Sequence, residues 1–391
     1  MFEEGGSTMY NKFKIISTNR PFDVISGDAD LENLHTLKTF PVFAGCVKRD
    51  TDIEEDQFLD MNVYISKSTG MIQITPILPL ETIYKLPHGS GEVGKLWMDH
   101  HSEFAKFIHS FSPISIFEIG GGSGRLANAY FNHKEVPWTI IDLNPNSNLP
   151  AHINVINGAF DDTFSSQDVD SVVHSHVFEH VFYPDQFMKQ LGSMVDNGKN
   201  MFFSIPNLLE MMKRGYTNCI NFEHSIFLTE PYVDFLLAKH GFRILKKHLF
   251  LKDHSIFYAV TRDVGVMPIQ ISADLYEENK TLFLEYIDNL TNKVAQINAH
   301  LLNTDLLVYQ FGAHVFSQFL INMGMKTDSL ISIIDNDIDK QGKRLYGTLL
   351  PVESAESLRD KSDILVLVNA AGYTDEIKEG ILTINPRVRF F

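Results

Sequence analysis

With 391 residues, 44% of them hydrophobic and 21% charged, the chain describes an ordinary soluble globular protein long enough for two or three domains. A formal net charge of −16 argues against a nucleic acid or an anionic membrane surface as partner, since phosphates are gripped by excess lysine and arginine. Two cysteines, Cys46 and Cys219, support no disulfide framework and fit a reducing cytoplasm, and no apolar run reaches the roughly 18 residues of a membrane span.

The start of the chain, 1–7, is acidic and glycine-bearing and lacks the basic, apolar, small-residue order of a signal peptide. Up to about residue 82, strand-like pieces over 40–47, 61–65 and 71–74 are broken by charged or glycine-containing turns and predict a small β-rich lobe. Over 95–110 the spacing of Leu96, Trp97, Phe104, Phe107 and Ile108 suits an amphipathic helix. Strands are then expected over 114–118, 139–142, 153–157, 171–174 and 200–205 with helices between, which implies a mostly parallel, doubly wound sheet covered on both faces. A helix over 230–240, ended by Gly241, and strands over 242–251 and 256–261 complete that unit. Leu282, Leu284, Ile287, Leu290, Val294 and Ile297 stand at helical spacing within 274–302 and predict a packed linker helix.

The tail starts again with strands over 306–312, 330–334 and 364–368, a second, smaller βαβ unit. Gly312 supplies one glycine where a dinucleotide fingerprint wants three, so no second cofactor is expected there. The division is a β-rich lobe over 1–84, an α/β catalytic domain over 85–265, a bridging helix over 266–303 and a Rossmann-like domain over 304–391.

The most informative stretch is Phe117-Glu118-Ile119-Gly120-Gly121-Gly122-Ser123-Gly124, an apolar strand ending in an acid and a glycine turn before a helix start over 125–132. Glycines there let backbone amides approach a ligand at the carboxyl edge of the sheet. A dinucleotide or phosphate loop wants bare amides, whereas Glu118 beside the turn suits a cationic or phosphate-free ligand. The next strand ends in Asp142, an acid placed to accept from two ribose hydroxyls. Both acids together resemble the S-adenosylmethionine site of class I methyltransferases. By that resemblance Glu118, Gly120, Gly122 and Gly124 hold the methionine and ribose region and Asp142 the ribose hydroxyls. Adenine packs near Leu143 and Phe160, with Asp161 reaching its amino group.

The whole chain, from about residue 40 to its end, resembles the three-domain sugar C-methyltransferases that act on nucleotide-linked 4-keto-deoxysugars. The motifs are Val177-Phe178-Glu179-His180-Val181, Phe222-Glu223-His224, Tyr309-Gln310-Phe311-Gly312-Ala313, Asp335-Asn336, and the run from Lys340 through Gly342 and Tyr346 to Thr348. The resemblance implies carbon methylation through an enolate, with S-adenosylhomocysteine as product, His224 as base, Glu223 beside the sugar, and His180 and Tyr84 as further substrate contacts. Histidine suits this proton removal because its pKa near 6.5 keeps much of it neutral. Duller readings stand beside these: Glu179-His180 as a helix-start pair ordering the cofactor loop, and Glu223-His224 as the residues before the penultimate helix. Methylation of oxygen or nitrogen on a sugar or other small metabolite, or a protein that binds the cofactor without turnover, also stays open, as does the oligomeric state.

The chain departs from the family where it usually carries zinc-binding cysteines: Pro41, Ala44, Gly45, Ser66, Thr69 and Gly70 occupy the aligned positions, so no zinc is expected. Asn221 and Phe222 replace a tyrosine and a histidine common near the base. His174 and His176 alternate on one strand, but no third ligand lies at useful spacing, so no metal is expected there either.

Overall fold

The computed structural model of the chain describes residues 15–84, 94–145, 149–161 and 170–391. The amino-terminal stretch 1–7, and position 85, expected to open the central domain, lie outside them.

The first strands are β1 (Leu31–Pro41), β2 (Cys46–Lys48), β3 (Phe58–Ser66) and β4 (Ile72–Thr75). β3 pairs antiparallel with β1 and β4, and its period-two pattern turns Met61, Val63 and Ile65 inward to full burial. Gly70, in the β3–β4 turn, has φ +71, and a Cβ there would meet the Leu275 backbone at 2.4 Å. At two positions aligned with the family's cysteines, the Ser66 hydroxyl donates to Asp30 at 3.0 Å and the Thr69 hydroxyl to Asp23 at 2.7 Å.

The chain continues through α1 (Leu80–Ile83), α2 (Lys95–His109), β5 (Ile116–Ile119), α3 (Arg125–Phe131), β6 (Trp138–Asp142), β7 (Ile153–Asn157) and β8 (Ser171–Ser175). There follow α4 (Pro184–Met194), β9 (Asn200–Pro206), α5 (Leu208–Lys213), α6 (Glu230–Lys239), β10 (Phe242–Phe250) and β11 (Ser255–Arg262). The seven strands order as β10-β11-β9-β8-β5-β6-β7, with β5 to β9 parallel and β11 antiparallel to both neighbours. Alternate residues feed two cores. Phe104, Ile108 and Leu126 pack on Ile116, Ile140 and Phe202 on one face, while Phe187, Leu191 and Leu236 pack on Phe117, Ile141 and Phe203 on the other. The link from β6 to β7 carries no helix among the described residues, contrary to the expected alternation, while most of the link from β7 to β8, where a helix is also expected, lies outside the described residues. Pro145 and Pro150 explain the first, since each removes an N–H donor and restricts the residue before it.

α7 (Leu275–Leu302) leads into the carboxyl-terminal part. It buries Phe283, Tyr286, Ile287, Leu290, Val294, Ile297 and Leu301, whereas Leu284, expected on the packed stripe, is 41% exposed. One hundred degrees per residue carries Leu284 off the stripe that Phe283 and Ile287 define. That stripe shares a single core with β3, α5 and the last sheet, so α7 is packed on several sides.

The last elements are β12 (Leu307–Phe311), α8 (Val315–Asn322), β13 (Leu330–Ile334), β14 (Lys343–Leu345), β15 (Val352–Glu353), β16 (Ile364–Val368), α9 (Thr374–Ile384) and β17 (Arg389–Phe390). Five form a parallel sheet, β15-β13-β12-β16-β17. β14 instead pairs antiparallel with β2, joining the two ends of the chain. Beside it, buried Arg344 grips Asp56 through two hydrogen bonds of 2.6 and 2.9 Å. The fold is thus α/β: a doubly wound sheet flanked by an amino-terminal β region and a second, smaller α/β unit. No helix among the described residues is long and apolar enough to cross a membrane.

Candidate active site

In the central sheet the chain runs from β5 outward to β6 and β7, then returns to β8 on the other side of β5. The carboxyl ends of β5 and β8 therefore flank the point where strand order reverses, the place where open α/β sheets bind ligands. A cleft of about 1330 Å³ opens there, lined by residues following β5, β6, β7, β8 and β9.

Glu118, Gly120, Gly122, Asp142, Leu143, Phe160 and Asp161 all line this cleft. Glu118 is buried, and its Oε2 accepts from the indole N–H of Trp138 at 2.8 Å. Asp142 accepts from the backbone N–H of Gly122 at 2.9 Å and of Asn144 at 2.8 Å, bonds that fix the carboxylate and leave lone pairs for a ligand. The turn has room for glycine alone: a Cβ at Gly121 would lie 2.6 Å from the Glu118 carboxyl carbon, and at Gly120, with φ +73, 2.5 Å from Val177. Gly124 does not line the cleft; it caps α3 with φ +65 over Leu149. Two anchored carboxylates around a glycine cradle fit a nucleoside-bearing cation.

The second group of expected residues gathers in the same cleft. Tyr84, His180, Glu223 and His224 all face the cleft. The Tyr84 hydroxyl lies 2.9 Å from His180 Nδ1, and the His180 and His224 ring centroids are 4.6 Å apart. His224 Nδ1 lies 2.7 Å from the Asn218 carbonyl oxygen, which can only accept, so Nδ1 carries the proton and Nε2 keeps a lone pair in the neutral ring. Asn221, standing where the family has tyrosine, accepts from the backbone N–H groups of Glu223 at 2.8 Å and His224 at 3.2 Å and so shapes this loop.

Desolvation, aided by His224, pushes the His180 imidazole down to about 4. Burial raises the Tyr84 phenol well above 10, with Glu223 and Glu179 adding to it, so it stays a neutral donor. Burial also pushes the Glu179 carboxyl up, but the attraction of His176, His180 and His224 outweighs it and holds the group at about 2.

Sequence spacing could not reveal several further lining residues. Trp97, from α2, and His254, before β11, reach the cleft next to His176. The carboxyl-terminal unit contributes His314, Phe316, Asp337, Asp339 and Tyr373. His174 and His176 part company: His174 is buried, stacked on Phe203 at 4.8 Å, while His176 meets His100 and His254. The third and fourth imidazoles that spacing along one strand did not offer thus arrive from elsewhere in the chain.

A methyltransferase domain model matches residues 92–247. The fold and the cleft together with that match define an S-adenosylmethionine-dependent methyltransferase. More particularly, residues 273–385 match a C-methyltransferase C-terminal domain, and that region takes in α7 and most of the last sheet. No curated protein has a sequence significantly similar to this chain. Among solved structures, an S-adenosylmethionine-dependent methyltransferase from Mesorhizobium loti is 13% identical with a TM-score of 0.36, over 42% of this chain and 100% of that one. A 1,6-didemethyltoxoflavin-N1-methyltransferase from Burkholderia thailandensis, with 1,6-didemethyltoxoflavin and S-adenosylhomocysteine bound, is 10% identical with a TM-score of 0.35, over 43% of this chain and 81% of that one. Scores that low carry no functional argument; the two domain matches do.

Proposed function

We propose that this methyltransferase places a methyl group on carbon, next to the carbonyl of an activated small-molecule sugar. The observation that carries the reading is the His224 ring, held by the Asn218 carbonyl so that Nε2 is the acceptor, inside a cleft that Tyr84 and His180 also line. His224 removes the proton adjacent to the ketone. Tyr84, kept neutral, donates toward the oxygen on which negative charge grows, and His180 positions that hydroxyl. Glu118 and Asp142 hold the cofactor through its charged and ribose regions, with Leu143, Phe160 and Asp161 around its base. Bound S-adenosylmethionine supplies an electrophilic sulfonium methyl.

A nucleotide-linked 4-keto-deoxysugar is the substrate the resemblance favours. The cleft's charge supports a second reading, a sugar or other small metabolite without a diphosphate. Eight carboxylates line it, Glu118, Asp142, Asp161, Glu179, Glu223, Asp253, Asp337 and Asp339, and Arg125 is the one lysine or arginine among the described lining residues. Incubation of the enzyme with S-adenosylmethionine and panels of nucleotide-linked and free keto sugars, followed by S-adenosylhomocysteine release and product NMR, tests both. A new C–CH₃ group adjacent to the carbonyl is expected. A methyl on oxygen or nitrogen, or cofactor binding without turnover on either panel, overturns carbon methylation.

A further inference from the structure

Three histidines distant in sequence, His100 on α2, His176 after β8 and His254 before β11, meet at the cleft, the last two of them lining it. Their ring centroids are 5.2, 5.3 and 6.0 Å apart, and one nitrogen of each lies within 4.8 Å of the other two. We infer that they form a binding site for a divalent transition-metal ion, zinc foremost.

The second observation is hydrogen bonding. His100 is fully buried, yet neither ring nitrogen has a hydrogen-bond partner among the protein atoms, and neither does His254 Nε2. Buried polar nitrogens are normally paired, so these three point to a ligand. His254 is held so as to offer Nε2: its Nδ1 lies 2.6 Å from the Ser255 hydroxyl. His176 Nδ1 lies 3.1 Å from Glu179 Oε1, the carboxylate–histidine contact that orients metal-binding imidazoles, and its Nε2 is 2.8 Å from the same Ser255 hydroxyl. The ion takes Nε2 of His176 when Ser255 gives it up.

Zinc–nitrogen bonds of about 2.0–2.1 Å put tetrahedral nitrogens about 3.4 Å apart, so the rings need close by only an ångström or so. Neutral imidazole is the ligating form. Three nitrogen ligands without thiolate suit zinc, with cobalt as a spectroscopic substitute. His176 and His254 face the cleft, which leaves the fourth position to water or the Ser255 hydroxyl. Through His176 the ion would tie Glu179 in place, next to His180 and His224.

The test uses the full chain, stripped with chelator and then titrated with Co²⁺ and Zn²⁺. Visible d–d bands of a four-coordinate cobalt ion and retention of one zinc per chain after desalting are expected. His100→Phe and the milder His254→Gln should each weaken zinc on the order of a hundredfold, while His224→Ala leaves it unchanged. Circular dichroism of each variant checks that it folds. A wild-type chain that keeps no zinc overturns the site, as does equal affinity in His254→Gln. Loss in His224→Ala alone also overturns it, because that result moves the ion to Glu179, His180 and His224.

Discussion

His180 and His224 meet edge to face, with ring centroids 4.6 Å apart and planes at 69°. Each has its Nδ1 committed elsewhere, His180 to the Tyr84 hydroxyl and His224 to the Asn218 carbonyl. Desolvation and the neighbouring His224 ring hold the His180 imidazole at about 4, while the Asn218 carbonyl leaves Nε2 of His224 as the acceptor.

His224→Ala should therefore cut kcat by about 10²- to 10⁴-fold, the usual contribution of a general base. Affinity for S-adenosylhomocysteine, measured by calorimetry, should stay nearly unchanged, because the proposed cofactor contacts Glu118 and Asp142 are left in place. Full turnover in this variant removes histidine from the chemistry.

Acid should destabilise the protein well above the carboxylate range. Burial pushes His174 from 6.5 down to about 3, so between those values the unfolded chain binds a proton that the native chain does not. Stability from this residue is complete above 6.5 and falls by about 1.4 kcal/mol per pH unit as pH drops toward 3. Denaturant melts at pH 7, 6 and 5 should show a shallower decline for His174→Phe than for wild type. Superimposable slopes would count against it.

Two glycines of one turn should fail differently. Gly121→Ala drives a methyl into the Glu118 carboxylate at 2.6 Å and should weaken S-adenosylhomocysteine binding about tenfold or more, or about 1.4 kcal/mol. Gly124→Ala lies outside the cleft but forces φ +65 on alanine and meets Leu149 at 2.5 Å. It should lower stability by about 1–2 kcal/mol, seen as a reduced Tm.

Asp56→Ala leaves Arg344 buried without its carboxylate and should cost about 3–5 kcal/mol by calorimetry. The double variant Asp56→Leu with Arg344→Met should recover most of it, since the charge then disappears with its partner. Equal losses in the single and double variants would show that packing, not charge, dominates this contact.

Much of the framework could be read along the chain. The strand before Gly120, the acid at the end of β6, the cap at Gly241 and the length of α7 each rest on a signal within a few residues: an apolar period, a glycine with positive φ, a carboxylate at a strand end. The misreadings were local too. Leu284 fitted a helical spacing but not the buried stripe, and prolines around β6 and β7 displaced an expected helix.

What sequence alone determined was the kind of element at each place and the acids and glycines proposed to hold a sulfonium nucleoside, because backbone preference and periodicity act over a turn or a strand. The tertiary structure decided which side chains meet. Tyr84 reaches His180 across 96 positions, Asn218 fixes the tautomer of His224, and His100 from α2 and His254 from before β11 meet His176. Those contacts arise from burying apolar faces shared by distant segments, and no spacing along the chain encodes that.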